Sequence, residues 1–149
     1  MKVVIIGNHA AGLSAAQTLR EKDEACSILV ISKEDVPPYS RCLIPYLVSG
    51  EKGLKEILFK PEDFYQKHAI DSLLGSEVIR ILPRQNEVLL EDGQKVNYDF
   101  LIVATGGKVS FPALPGIKAK GVFGFRTLRD AQRIVDYLGQ VETAAVLGG

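Results

Sequence analysis

The sequence predicts an α/β fold, a parallel sheet with a small antiparallel β element inserted. Three observations carry that reading. Val3-Val4-Ile5-Ile6 is a continuous β-branched run, the pattern of a strand buried on both faces. After Gly7 to Gly12, the residues Leu13, Ala15, Ala16 and Leu19 form a helical apolar stripe that runs into the charged stretch Arg20 to Glu24. Ser27 to Ile31 then gives a second apolar strand, which closes a β-α-β crossover in about 30 residues.

Further along, Pro37-Pro38 breaks the chain into a loop, and Ser40 is placed to cap a helix from Arg41 to Val48, ended by Ser49-Gly50. Pro61 starts a short helix with Glu62, Asp63 and Phe64 in its first turn. Ile70 to Leu74 and Glu77 to Leu82 read as strands. Glu87 to Leu90, Asp92-Gly93 and Lys95 to Tyr98 read as a hairpin with a tight turn. Phe100 to Ala104 is another buried strand that runs into Thr105-Gly106-Gly107. Residues 108–121 are rich in proline and glycine and read as a linker. Thr127 to Leu138 reads as a helix with Thr127 as cap and Asp130 at the third position, a variant of the capping box. Ala144 to Leu147 begins a further strand that stops at Gly148-Gly149, as if cut. The expected domains are therefore residues 1–110, a linker and helix over 111–142, and the start of a second domain over 143–149.

Composition narrows the function. The 149 residues suit one domain, or one and the stub of another, and can bury roughly 70% of the surface the unfolded chain exposes. Lys+Arg and Asp+Glu number 18 each, for a formal charge of zero. That argues against a nucleic-acid or acidic-membrane partner, which calls for a basic excess. No apolar run reaches the ~20 residues that span a bilayer, and Val3 to Ile6 is too short for the apolar core of a signal peptide. Two cysteines make no disulfide framework, so a reducing, cytoplasmic location is expected. No metal site is expected.

Four motifs carry chemistry. Gly7-Asn8-His9-Ala10-Ala11-Gly12 lies between strand and helix, where backbone N–H groups at a helix N-terminus can face a pyrophosphate. Gly7 supplies the tight turn and Gly12 the close helix–strand packing. His9 replaces the usual middle glycine, and a plain tight turn is the other reading. About 20 residues past the last glycine, an acid for ribose hydroxyls is expected. Ser32 stands there, followed by Lys33 and Glu34; Glu34 is the nearest acid, or else a solvated loop charge. Third, Ala104-Thr105-Gly106-Gly107 puts small residues at a strand's carboxyl end, where backbone can approach a ligand, or simply leaves the sheet. Fourth, Cys42 falls in the first turn of a helix if Ser40 caps one, beside Arg41. Both features favour a nucleophilic thiolate; a small buried hydrophobe is the alternative, and the better reading for Cys26.

Together these motifs resemble the FAD-dependent pyridine nucleotide–disulfide oxidoreductases. The likeness is to the branch holding coenzyme A disulfide reductases, NADH oxidases and peroxidases, and the nitrite and rubredoxin reductase types. It runs through the glycine motif, Tyr39-Ser40-Arg41-Cys42, Pro45-Tyr46, Tyr98-Asp99, Ala104-Thr105-Gly106, Pro112 to Gly116 and Phe125 to Leu128. The resemblance implies a Rossmann-like FAD-binding domain. Gly7, Asn8, His9, Ala10, Ala11 and Gly12 would meet the pyrophosphate, and Ser32, Lys33 and Glu34 the adenosine ribose. Arg41 and Cys42 would lie near the flavin, Val78 would touch adenine through its backbone, and Ala104, Thr105 and Gly106 would line the cofactor.

It also implies NAD(P)H as the electron source and a homodimeric full-length parent, with a small molecule or protein as electron acceptor. Cys42 falls where thiol-using members keep a redox cysteine that acts on a disulfide, polysulfide, persulfide, peroxide or oxygen. Tyr39-Ser40-Arg41 is more similar to the nitrite and rubredoxin reductase types, in which Cys42 would be a bystander and electrons would pass to a ferredoxin or rubredoxin. A non-catalytic nucleotide-binding fragment is the third possibility. The NAD(P)H motif would begin at Gly148-Gly149, so the chain is expected to be an N-terminal part, inactive alone.

Overall fold

The computed structural model describes residues 1–148. Its elements run β1 (Lys2–Ile6), α1 (Ala10–Lys22), β2 (Ser27–Ser32), α2 (Ile44–Val48), α3 (Phe64–Lys67), β3 (Asp71–Leu74), β4 (Val78–Leu82), β5 (Glu87–Leu90), β6 (Lys95–Asn97), β7 (Phe100–Val103) and α4 (Leu128–Leu138), with 3-10 turns at Arg41–Leu43 and Leu54–Ile57. They form two compact units. One joins Met1–Tyr39 to Leu58–Gly106; the other joins Ser40–Ile57 to the residues from Gly107 on.

The first unit is built on a four-stranded sheet in the order β3-β2-β1-β7. All three pairings are parallel, with Val3 opposite both Ile28 and Phe100. The unbroken apolar run of β1 follows from this position, because alternate side chains feed two different cores. Val3 and Ile5 pack with Leu13 and Ala16 of α1, Ile28 and Val30 of β2, and Phe64 of α3. Val4 and Ile6 pack on the opposite face with Ile31, Val88, Leu90 and Val96. The cover on that second face is an antiparallel sheet, β4-β5-β6. It enlarges the expected hairpin by one strand, β4, which joins β5 through an irregularity between Val78 and Arg80.

The end of α1 is tied down by one side chain. Arg20 donates from Nε to the His68 carbonyl at 2.9 Å and from Nη2 to the Ala69 carbonyl at 2.8 Å. Its Nη1 reaches the carbonyls of Asp23 and Glu24 at 3.2 and 2.6 Å. Four carbonyls are thus met by one guanidinium, and Ala69 is held at φ 47°, a conformation uncommon without glycine.

The second unit holds α2 and α4. Thr127 caps α4: its hydroxyl accepts from the Asp130 N–H while the Asp130 carboxylate accepts from the Thr127 N–H, the expected reciprocal box. Two expectations fail here. The helix foreseen from Arg41 to Val48 is split into a 3-10 turn and α2, and Ser40 makes no side-chain cap. Pro45 is the cause. It has no N–H to give the Arg41 carbonyl, which accepts from the Ile44 N–H instead, closing a tighter turn. The strand foreseen at Ala144 to Leu147 is absent among the described residues, and Val146 and Leu147 are exposed. A strand forms by pairing, and no described strand lies beside it to share hydrogen bonds. Gly149, expected to open a further glycine motif, lies outside the described residues.

Candidate functional site

Parallel strands all end at one edge of a sheet, and in the first unit three chemistry-bearing segments leave from that edge: Gly7–Gly12 after β1, Ser32–Glu34 at the end of β2, and Ala104–Gly106 after β7. The hydrogen bonds continue the ladder to its last rung. Gly7 donates to the Ile31 carbonyl at 2.9 Å, and Ala104 donates to the Ile6 carbonyl at 2.8 Å. The turns after β1 and β7 therefore touch. Gly7 sits at φ 126°, and a Cβ there would overlap the Ala104 carbonyl oxygen and lie 2.7 Å from its carbon. A Cβ on Gly12 would overlap the Gly7 carbonyl oxygen. Both glycines are thus demanded by close backbone approach, as expected from the motif.

The N-terminus of α1 is bare. No side chain caps it, and no acidic residue lies in its first turn. Ala10 and Ala11 are exposed and carry only methyl groups, so the first-turn N–H groups are open to an anion. Asn8, almost fully buried, fixes the turn from below: Tyr65 on α3 donates its hydroxyl to Asn8 Oδ1. Burial pushes the Tyr65 phenol up to about 12, against a smaller lowering by the Asn8 bond.

Glu34 is not a free loop charge. Tyr39 donates its hydroxyl to Glu34 Oε2 at 2.6 Å, and His9 Nε2 lies 3.4 Å from Oε1. The Ser32 hydroxyl accepts from the Glu34 N–H at 3.2 Å. Lys33 turns outward and pairs with Glu77 at 2.6 Å. Ser76 donates to the Ser32 carbonyl at 2.8 Å and Gly75 to the Glu34 carbonyl at 3.3 Å. The strand that begins at Val78 is thereby fastened beside the Ser32–Glu34 segment, and as the outer strand of its sheet it keeps one backbone edge clear of β5.

Arg41 and Cys42 belong to the second unit. Arg41 Nη1 donates to the Arg126 carbonyl at 2.8 Å. Cys42 is exposed, in the 3-10 turn rather than the first turn of an α-helix, so the helix-dipole argument for its thiolate falls away. Cys26 is buried, as its apolar surroundings suggest. Sequence reasoning missed Tyr39 and Tyr65 as site-building residues. Both hydroxyls act through tertiary contacts that no local pattern encodes; the only sequence signal is the aromatic itself, which seeks a polar partner when buried.

The sequence profile of the pyridine nucleotide-disulphide oxidoreductases matches residues 1–149. An NADH oxidase of Methanocaldococcus jannaschii is 36% identical over 99% of this chain and 35% of its own length. The assimilatory nitrate reductase electron transfer subunit of Bacillus subtilis is 34% identical over 99% of this chain and 19% of its own. Among solved structures, the NADH:rubredoxin oxidoreductase of Clostridium acetobutylicum superposes with a TM-score of 0.84 at 30% identity, covering 93% of this chain and 36% of that one. The chain thus spans about a third or less of the length of these relatives.

Proposed function

The chain belongs to the pyridine nucleotide-disulphide oxidoreductase family, whose members depend on FAD and NAD(P)H, and from that premise we propose that its first unit is the FAD-binding part of an NAD(P)H-dependent flavoprotein oxidoreductase. The observation that carries the reading is the close approach of the Gly7 turn to Ala104, which leaves a cradle of backbone at the end of the sheet with no side chain in the way. In this reading the N–H groups of Gly7–Gly12 hold the pyrophosphate. Glu34, with Ser32 and Lys33, meets the adenosine ribose; the Val78 backbone meets adenine; Ala104, Thr105 and Gly106 line the cofactor. When bound, FAD supplies the transfer of electrons taken from NAD(P)H.

Arg41 and Cys42 form the acceptor side. Cys42 is the nucleophile toward a disulfide, polysulfide, persulfide or peroxide; its exposure makes the thiol reachable. A second reading gains from the 3-10 geometry, which gives Cys42 no helix terminus: electrons pass to a protein carrier and the thiol is a bystander. In the full-length protein, Cys42→Ser should abolish persulfide or disulfide reduction under the first reading and leave carrier reduction intact under the second.

The cofactor assignment is tested by incubating the chain with excess FAD, desalting, and recording the visible spectrum. Retained flavin absorbance is expected, with its loss in a folded Gly7→Ala variant. Equal retention by Gly7→Ala would sink the assignment, because the methyl group occupies the space the cradle needs.

A further inference from the structure

The glycine turn is bare on its outer side, and the restraint that keeps it in shape comes from within the fold. Gly7 sits at φ 126°, and a glycine backbone gives the turn little stiffness of its own. The next residue carries the anchor. Asn8 is only 3% exposed, and its Oδ1 accepts the hydroxyl of Tyr65 on α3. Tyr65 is itself well seated. It packs against the core formed by Val3, Ile5, Leu13 and Phe64, and its ring meets that of Phe64 edge-on with centroids 5.6 Å apart. Its carbonyl accepts from the Ile70 N–H at 2.9 Å. Burial holds its phenol up at about 12, so the hydroxyl stays a proton donor throughout the neutral range.

The same short segment holds α1 along its length. Lys60 Nζ donates to Gln17 Oε1 at 2.8 Å, and the carbonyls of His68 and Ala69 accept from the Arg20 guanidinium at 2.9 and 2.8 Å. Residues 60–70 therefore grip the helix at three places: at the turn before its bare N-terminus through Asn8, at its middle through Gln17, and near its end through Arg20. A helix N-terminus favours an anion because its N–H groups converge on one place. A turn already held in that shape loses less freedom when the anion arrives, and its affinity rises accordingly. By linkage, an anion that settles there strengthens the Tyr65–Asn8 contact by the same factor.

We propose that the segment from Lys60 to Ile70 is a brace for a diphosphate-binding turn, with Tyr65 as the positioning residue that acts through Asn8, so that nucleotide occupancy of the turn and the order of α3 are coupled. The inference rests on reading the first unit as an adenine-nucleotide site. It adds to that reading a residue 57 positions from Asn8, outside the glycine motif, that tunes the affinity of the motif.

The test is a double-mutant cycle in the 149-residue chain, with ADP binding read by titration calorimetry. Tyr65→Phe should weaken ADP binding by roughly three- to tenfold, the worth of one hydrogen bond. Asn8→Ala should weaken it at least as much. Adding Tyr65→Phe to Asn8→Ala should then change it by less than about twofold, because the hydroxyl has nothing left to hold. If Tyr65→Phe binds ADP as the unmodified chain does, or if the two losses multiply, Tyr65 does not act on the site through Asn8 and the proposal is wrong. A second measurement needs no variant, and so stands should either one unfold. When ADP is titrated into the isotope-labelled chain, the NMR amide signals of residues 64–70 should shift together with those of Gly7 to Gly12. Unmoved signals over 64–70 would overturn the coupling. Failure of the unmodified chain to bind ADP at all would instead overturn the nucleotide-site reading itself, and the brace with it.

Discussion

Tyr65 shows how one hydroxyl can govern a binding turn. Its hydroxyl donates to Asn8 Oδ1, and it sits on a different element from the turn it supports. Tyr65→Phe should therefore cost about 1–3 kcal/mol by leaving a buried amide oxygen unmet, read as a shift in denaturant midpoint. Its phenol also links stability to alkali. The folded protein holds the Tyr65 proton up to about 12 against an ordinary 10.0, chiefly through burial. The contribution is complete below about pH 10 and is lost as the pH climbs towards 12. Melting temperature should fall over that window, and less steeply in Tyr65→Phe. Gly7 and Gly12 were readable at this scale because glycine spacing reports backbone approach directly. Tyr39, Tyr65 and the His9–Glu34 contact were not, because each joins side chains from separate stretches of chain.

Among the elements, Arg20 makes the strongest prediction. A guanidinium with donors in a fixed fork meets four carbonyls at the close of α1 and the entry to β3. Arg20→Lys keeps the charge but not the fork, and should still lose about 2 kcal/mol; Arg20→Met should lose no less. Chemical denaturation of both variants checks this, and full rescue by lysine would refute it. In the sequence, Arg20 is one of five consecutive charged residues, with nothing to mark it from its neighbours. Periodicity located β1, α1, β2 and the helix after Thr127, since burial stamps its period on the residues. It misjudged Arg41 to Val48, where Pro45 overrides an otherwise helical pattern, and Ala144 to Leu147, where strand-forming residues find no described partner.

For the molecule as a whole, the decisive fact is that the first unit keeps two cores on opposite faces of one sheet. Ile5 is buried in one and Leu90 in the other. Ile5→Ala and Leu90→Ala should each cost about 2–5 kcal/mol, and with no shared partners the double variant should equal their sum within about 0.5 kcal/mol. A shortfall well beyond that would mean that the faces communicate through the sheet. The parallel sheet itself was readable because strands buried on both sides lose all alternation; its strand order was not, because pairing between distant strands leaves no local trace. That distance has a consequence for birth on the ribosome. Lys2 and Asp99, bonded across the first and last strands, are 97 residues apart. The β1-α1-β2 crossover can gather as it emerges, but the wall that Ala104 adds beside Gly7 arrives only after the intervening segment is made, about 5–20 seconds later at ordinary synthesis rates. The nascent half-site has no second side until then, so cofactor can stabilise the finished unit without guiding its early steps.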